Sequence, residues 1–147
     1  EERGQGLAIA KNLAKMSQLT VPIISVIIGE GGSGGALGIA VCDRLGMLSN
    51  SIYSVISPRG FASLIWKDQS LEKDAADIMH ITAKDLCALG IADFVIVEED
   101  EGAHASVEKT ALGIKTFFLR ALAEVRSNNL IEERYAKYRD LGPFYRS

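Results

Sequence analysis

The chain has 147 residues, 48% of them hydrophobic and 24% charged, with a net charge of -3 at pH 7, an ordinary globular composition and enough length for one domain with a core. No basic excess points to nucleic acid or to an anionic membrane surface. The longest apolar stretch, Val21 to Ile28, is interrupted by Pro22 and Ser25, far short of the ~20 apolar residues that cross a bilayer.

Glu1 stands first, without a signal-peptide pattern, and an amphipathic helix pattern begins almost at once over Glu1 to Leu19, with Ile9, Leu13 and Met16 on one face. The chain is therefore expected to be a piece of something longer. Pro22 excludes continuation of the helix, and the β-branched run Ile23 to Ile28 predicts a strand buried on both faces. A glycine turn, Gly29 to Gly35, leads into an apolar helix from Ala36 to Cys42. Leu45 to Leu48 and Tyr53 to Ile56 are expected as two short strands, split by Ser49-Asn50-Ser51.

Ser57 and Pro58 have the character of an N-cap and first helical residue, opening a short helix through Phe61, Leu64 and Ile65. Ser70 is expected to cap the next, Leu71 to Met79. Thr82 followed by Asp85 resembles a capping box, and Gly90 would close the helix it opens. Phe94 to Val97 predicts a further strand. Ser106 opens a long helix with Val107, Ala111, Ile114, Phe118, Leu122 and Val125 on one stripe, of which Phe118, Leu122 and Val125 are expected to be buried. A last helix groups Ile131, Tyr135 and Tyr138 and stops at Gly142-Pro143. The order is mixed α/β with a helical tail.

Cys42 and Cys87 are the two cysteines and form no C-x-x-C pair, so they are expected as buried free thiols. With His80 and His104 the only histidines, no metal site is expected.

Five of the seven residues from Gly29 to Gly35 are glycine, a density that lets a ligand or another backbone come close while the following helix aims free N–H groups outward. Gly29-x-Gly31-x-x-Gly34 has dinucleotide-fingerprint spacing, but the next strand ends in Ser49, Asn50 and Ser51 with no acid for a ribose. A P-loop fails because Gly35 stands where lysine is needed. Gly31-x-Ser33-x-Gly35 fits a nucleophile elbow, with Ser33 as nucleophile, His80 or His104 as base and Asp93 as orienting acid. The remaining reading is an oxyanion hole made of backbone N–H groups. Glu30 has two roles open to it, a solvated or helix-anchoring carboxylate and a catalytic one. A non-catalytic partner-binding module is a further alternative, resting on the helix from Ser106 to Ser127 and the aromatic tail Phe144-Tyr145.

Val21-Pro22-Ile23-Ile24 and the run Ile28-Gly29-Glu30-Gly31-Gly32-Ser33-Gly34-Gly35-Ala36-Leu37 closely resemble the carboxyltransferase alpha subunit of bacterial and plastid acetyl-CoA carboxylases. Glu1 to Gln5, Tyr53 to Pro58, Phe61 to Lys67, Ile81-Thr82-Ala83, Gly90 to Asp93 and Gly102-Ala103-His104 follow in that family's order. The resemblance implies a crotonase/ClpP-like fold of repeated ββα units, with residues 1–147 the carboxyl-terminal part of a single domain, and a chain inactive by itself. It implies transfer of a carboxyl group from biotin, carried on a biotin carboxyl carrier protein, to acetyl-CoA to form malonyl-CoA. Two oxyanions arise in that reaction. In the family the alpha subunit's glycine pair serves the biotin side, which by position is Gly34-Gly35 here, with Gly31, Gly32 and Ser33 as substrate-binding neighbours. Implied partners are a carboxyltransferase beta subunit in an α2β2 assembly, the carrier protein and biotin carboxylase, in cytoplasm or plastid stroma. One departure stands out: the family usually has Glu between the Pro and Gly of its Ser-Pro-x-Gly block, where this chain has Arg59.

Overall fold

Residues 3–99 and 101–141 are described by a computed structural model, so the expected stop at Gly142-Pro143 and the tail Phe144-Tyr145 lie outside the described residues. After helix α1 (Gln5–Ser17) comes strand β1 (Ile24–Ile27), and a short strand β2 (Glu30–Gly32) occupies what the sequence presents as pure turn. Helix α2 (Ser33–Ala40) follows directly. Strands β3 (Arg44–Leu48) and β4 (Ile52–Ser54) repeat the pattern, then come helix α3 (Pro58–Phe61), a wide π-type turn over 62–66, a 3₁₀ turn over 69–71, and helices α4 (Glu72–Met79) and α5 (Ala83–Ala88). Strand β5 (Phe94–Ile96) and the long helices α6 (Val107–Glu124) and α7 (Leu130–Arg139) complete the chain.

The named strands pair in parallel, with an isolated antiparallel bridge between Ile52 and Thr82, and alternate strands fall in two different sheets. One sheet has the order β1-β3-β5, with Ser25 beside Leu45 and Met47 beside Val95. The other pairs β2 with β4, setting Gly31 beside Tyr53. Each ββα unit thus contributes one strand to each sheet before its helix: β1-β2-α2, then β3-β4 with α3 to α5.

Strand β3 is the core. Leu45 and Met47 face a cluster with Ile27, Ala40, Cys42, Ala83, Leu86 and Ala92, while Leu48 faces Ile96, Phe117 and Ala121. Full burial of each large side chain contributes ~1.5–3 kcal/mol. On the second face Gly46 is required: a Cβ there would lie 2.8 Å from Phe117 Cε1, so glycine lets α6 lie directly on the strand.

Local chemistry explains most boundaries. Ser57 Oγ accepts from Gly60 N–H at 3.1 Å with Pro58 at the first helical position. Thr82 Oγ1 accepts from Asp85 N–H at 3.3 Å, and Gly90, at φ +73°, closes α5 as expected. The cap expected of Ser70 belongs instead to Asp68, whose carboxylate accepts from Ser70 N–H at 2.9 Å, so a 3₁₀ turn precedes α4. Two helix faces also differ from expectation. On α6 the buried residues are Phe117 and Ala121, with Val125 buried just beyond the helix, whereas Phe118 is half-buried and Leu122 is 49% exposed. On α7, Leu130 and Arg134 are buried and Tyr138 half-buried, while Ile131 and Tyr135 face outward. Arginine stands at the most buried position of the last turn but one, and an apolar stripe count passes over it. Cys42 is buried, Cys87 half-buried, and both are free thiols.

Candidate functional site

The glycines between β1 and α2 serve different ends. Gly29 O accepts from Ile52 N–H at 3.0 Å and starts the β2–β4 pairing. Gly31 is closely packed, since a Cβ there would stand 3.2 Å from Ile27 Cδ1 and from Tyr53 Cδ2. Gly32, extended at φ -132°, precedes Ser33, whose φ of +59° is left-handed, a conformation costing a non-glycine residue ~1–2 kcal/mol. The chain turns here from strand to helix within one residue.

Gly34 and Gly35 occupy the first turn of α2. That turn has no side-chain cap and no acidic residue, and neither N–H finds an acceptor among the described residues. Free first-turn N–H groups and the positive end of the helix together favour an anion or a developing oxyanion. A Cβ on Gly34 would make ordinary contact with Ile9 of α1 at 3.5 Å, and one on Gly35 would meet nothing within 4 Å.

A groove of about 1000 Å³ opens beside this segment. Glu30, Gly31, Gly32 and Ser33 form one wall; residues 54–59 with Glu72, Lys73 and Ala76 form the other. A smaller hollow of about 290 Å³, lined largely by Ile27, Ile28, Gly29 to Gly32 and Ile39, lies against the same strand. The structure therefore sets Gly31, Gly32 and Ser33 on the groove, with Gly34 and Gly35 following directly at the head of α2. Arg59, the residue that departs from the resembling family, donates from Nε to Glu72 Oε2 at 2.8 Å on the far wall. That hydrogen bond holds the Glu72 carboxyl below its ordinary range, and the exposed pair gives Arg59 a local partner.

The elbow reading needs a base and an orienting acid, and these are not gathered. Neither His80 nor His104 lines the groove that Ser33 lines. Asp93 accepts from Leu45 N–H at 2.7 Å and pairs with Lys137 Nζ at 2.5 Å, which commits it to the end of the sheet. Among the described residues no group of His, Cys, Asp and Glu could hold a metal ion, and no helix is long and apolar enough to cross a membrane.

Polar groups around the other end of α2 escaped sequence reasoning. Ser25 Oγ donates to Ile39 O at 2.7 Å, and the Tyr138 hydroxyl donates to Ala40 O while accepting from Cys42 N–H at 2.9 Å. Neither carries a motif, since both act on backbone; the sequence groups Tyr138 with Ile131 and Tyr135 on the last helix but gives no sign of what its hydroxyl meets.

The family profile described as "Acetyl co-enzyme A carboxylase carboxyltransferase-like" matches residues 1–142. The chain is 52% identical to the acetyl-coenzyme A carboxylase carboxyl transferase subunit alpha of Staphylococcus haemolyticus, over 98% of this chain and 47% of that protein. It is 53% identical to the subunit of the same name from Clostridium perfringens, over 96% of this chain and 53% of that protein. The chain thus spans about half the length of the curated relatives it matches. Its fold is shared with a Pseudomonas malonate decarboxylase hetero-dimer, at TM-score 0.73 and 20% identity over 94% of this chain and 56% of that one. It is also similar to the transcarboxylase 12S core solved with methylmalonyl-coenzyme A, at TM-score 0.62 and 19% identity over 79% of this chain and 22% of that one. The crotonase-type arrangement of ββα units is therefore the fold of this chain.

Proposed function

From the premise that the chain belongs to the acetyl co-enzyme A carboxylase carboxyltransferase-like family, we propose that it is the carboxyl-terminal part of an acetyl-CoA carboxylase carboxyltransferase alpha subunit. In this reading residues 1–147 belong to one crotonase-like domain whose reaction moves a carboxyl group from biotin to acetyl-CoA. The observation that carries it is the head of α2, where two glycine N–H groups stand without acceptors among the described residues, beside a groove of about 1000 Å³. Biotin, when presented on its carrier protein, supplies the carboxyl group and a ureido nitrogen able to take the acetyl methyl proton. The fit is chemical: the first turn holds no acid, and Gly35 leaves open space where a side chain would stand.

The residues of this chain would then do three things. Gly34 and Gly35 donate N–H groups to the ureido oxygen as negative charge gathers there. Gly31, Gly32 and Ser33 form the near wall against which the reactants lie. The α2 dipole adds a fixed positive potential that costs no reorganisation. Partners in this proposal are a beta subunit that completes an α2β2 site and stabilises the thioester oxyanion, the biotin carboxyl carrier protein and biotin carboxylase, all in cytoplasm or plastid stroma.

The subunit carrying this chain is to be mixed with a carboxyltransferase beta subunit, biotin and malonyl-CoA, and release of acetyl-CoA followed. Release that depends on biotin and on both subunits is expected. Folded, co-purifying subunits that release no acetyl-CoA would overturn the proposal.

A further inference from the structure

Helix α2 has little side-chain anchorage. Its sequence is SGGALGIA, its buried side chains are Ala36 and Ala40, and Leu37 and Ile39 are exposed. Two methyl groups hold a helix weakly against translation or tilt. Its tail, by contrast, is bonded from two directions. Ser25 on β1 donates to Ile39 O at 2.7 Å. The Tyr138 hydroxyl on α7 donates to Ala40 O and accepts from Cys42 N–H at 2.9 Å, thereby bridging the last turn of α2 to the first residues of the next segment.

Tyr138 is itself on a fixed support. One turn earlier, Arg134 makes a two-pronged pair with Asp43, Nε to Oδ1 and Nη2 to Oδ2, each at 2.9 Å. Beside it Lys137 pairs with Asp93 at 2.5 Å. Asp43 and Asp93 in turn accept from the backbone N–H groups of Ile23 and Leu45, each at 2.7 Å. Helix α7 is thus fastened to the ends of the central sheet, and Tyr138 carries that reference across to α2. Burial pushes the Tyr138 phenol above its ordinary range, so the hydroxyl keeps its proton, and hence its bond to Ala40 O, throughout the neutral range.

Leverage makes this matter for the opposite end. A helix of eight residues spans ~12 Å, and a tilt of about ten degrees about its tail moves its head by ~2 Å. Displacements of ~1 Å at a reacting centre can cost ~10²-fold in rate. We infer that Tyr138 is a positioning residue for carboxyl transfer: its hydroxyl fixes the tail of α2 so that the N–H groups of Gly34 and Gly35 keep their place at the head of the helix. The inference rests on the role proposed above for those two N–H groups.

The test compares Tyr138→Phe with Phe117→Leu in the assembled transferase. The first keeps the ring and removes the hydroxyl. The second loosens the cluster of Leu48 and Ile96, away from α2, and serves as a control for lost stability. Two quantities are read: amide exchange over Leu37 to Ala40, and kcat against KM for acetyl-CoA. Tyr138→Phe should speed exchange in α2 and lower kcat, each by ~10-fold or more, with KM within about twofold. Phe117→Leu should lower Tm and change neither. Unchanged exchange in α2 would overturn the inference, because the helix would then be held without the hydroxyl. Faster exchange with parental kcat would overturn it too, and a third variant, Gly35→Pro, tells which link failed. If that variant loses kcat, the head of α2 acts but does not depend on Tyr138. If it does not, the proposed role of the glycine N–H groups falls, and the positioning role with it.

Discussion

At Gly35 the proposed chemistry depends on a backbone proton and not on a side chain, so the informative substitutions are those that separate the two. Gly35 is the third residue of α2, its φ is not positive, and a Cβ there meets nothing within 4 Å. Gly35→Ala should therefore fold without strain and, within a helix, stabilise by ~0.5–1 kcal/mol. It keeps the N–H, so kcat should change by only a few-fold. Gly35→Pro removes the N–H in a turn where that group has no helical acceptor, and should lower kcat by ~10²–10³, the usual cost of one lost oxyanion donor. Melting and subunit assembly, measured first, establish that both variants are comparable with the parent. A folded, assembled Pro variant with parental kcat would remove Gly35 from the hole. Gly31 shows why glycine density alone could not apportion these roles: its missing side chain answers to Ile27 and Tyr53, a packing reason that sequence cannot tell from a catalytic one.

Helix α6 shows the limit of periodicity at the level of an element. Its existence and extent were legible from Ser106 onward, but the stripe through Phe118 and Leu122 was one position off. Large residues stand at Phe117, Phe118, Leu119 and Leu122, so apolar count supports more than one face. What selects Phe117 is Gly46, a gap on β3 into which the ring fits with Phe94 stacked at 5.8 Å. The consequence is measurable. Leu122, 49% exposed, should tolerate alanine within ~0.5 kcal/mol, whereas Phe117→Ala should cost ~3–5 kcal/mol. Chemical denaturation of both variants in the isolated chain checks the pair, and equal losses would contradict the assigned face. Caps behaved better than faces. Ser57-Pro58 and Thr82 were identifiable because a cap is a local bond between residues three apart, and Ser70 misled because Asp68, two residues before it, is the stronger acceptor.

Across the whole molecule, the farthest-reaching restraint is Arg134. It is 2% exposed, pairs with Asp43, and donates to the carbonyls of Met16, Ser17, Leu19 and Val21 at 2.8 to 3.2 Å. One guanidinium thus closes the end of α1, the approach to β1 and the start of β3. A buried pair of this kind contributes little net stability against an apolar substitute, but removing one partner leaves an uncompensated charge. Arg134→Met should cost ~3–5 kcal/mol, and the double variant Arg134→Met with Asp43→Asn should recover part of that loss. Equilibrium unfolding of the single and double variants measures the coupling. Additive losses would show that the two side chains do not act as a unit.

The sequence by itself determined the alternation of strand and helix, the helix caps that are local bonds, the glycine-rich strand-to-helix turn and, through the joint pattern of its motifs, the family. These are properties of neighbouring residues or of composition, and they survive without knowledge of what lies across the fold. The short strand β2 was invisible because three residues, two of them glycine, have no strand propensity; only its pairing with β4 makes it a strand. The buried faces of α6 and α7, the tie of Tyr138 to α2 and the reach of Arg134 were decided by tertiary structure for the same reason. Each joins groups far apart in sequence, 96 residues for Tyr138 and Cys42, and no local pattern encodes which distant backbone a polar group will meet.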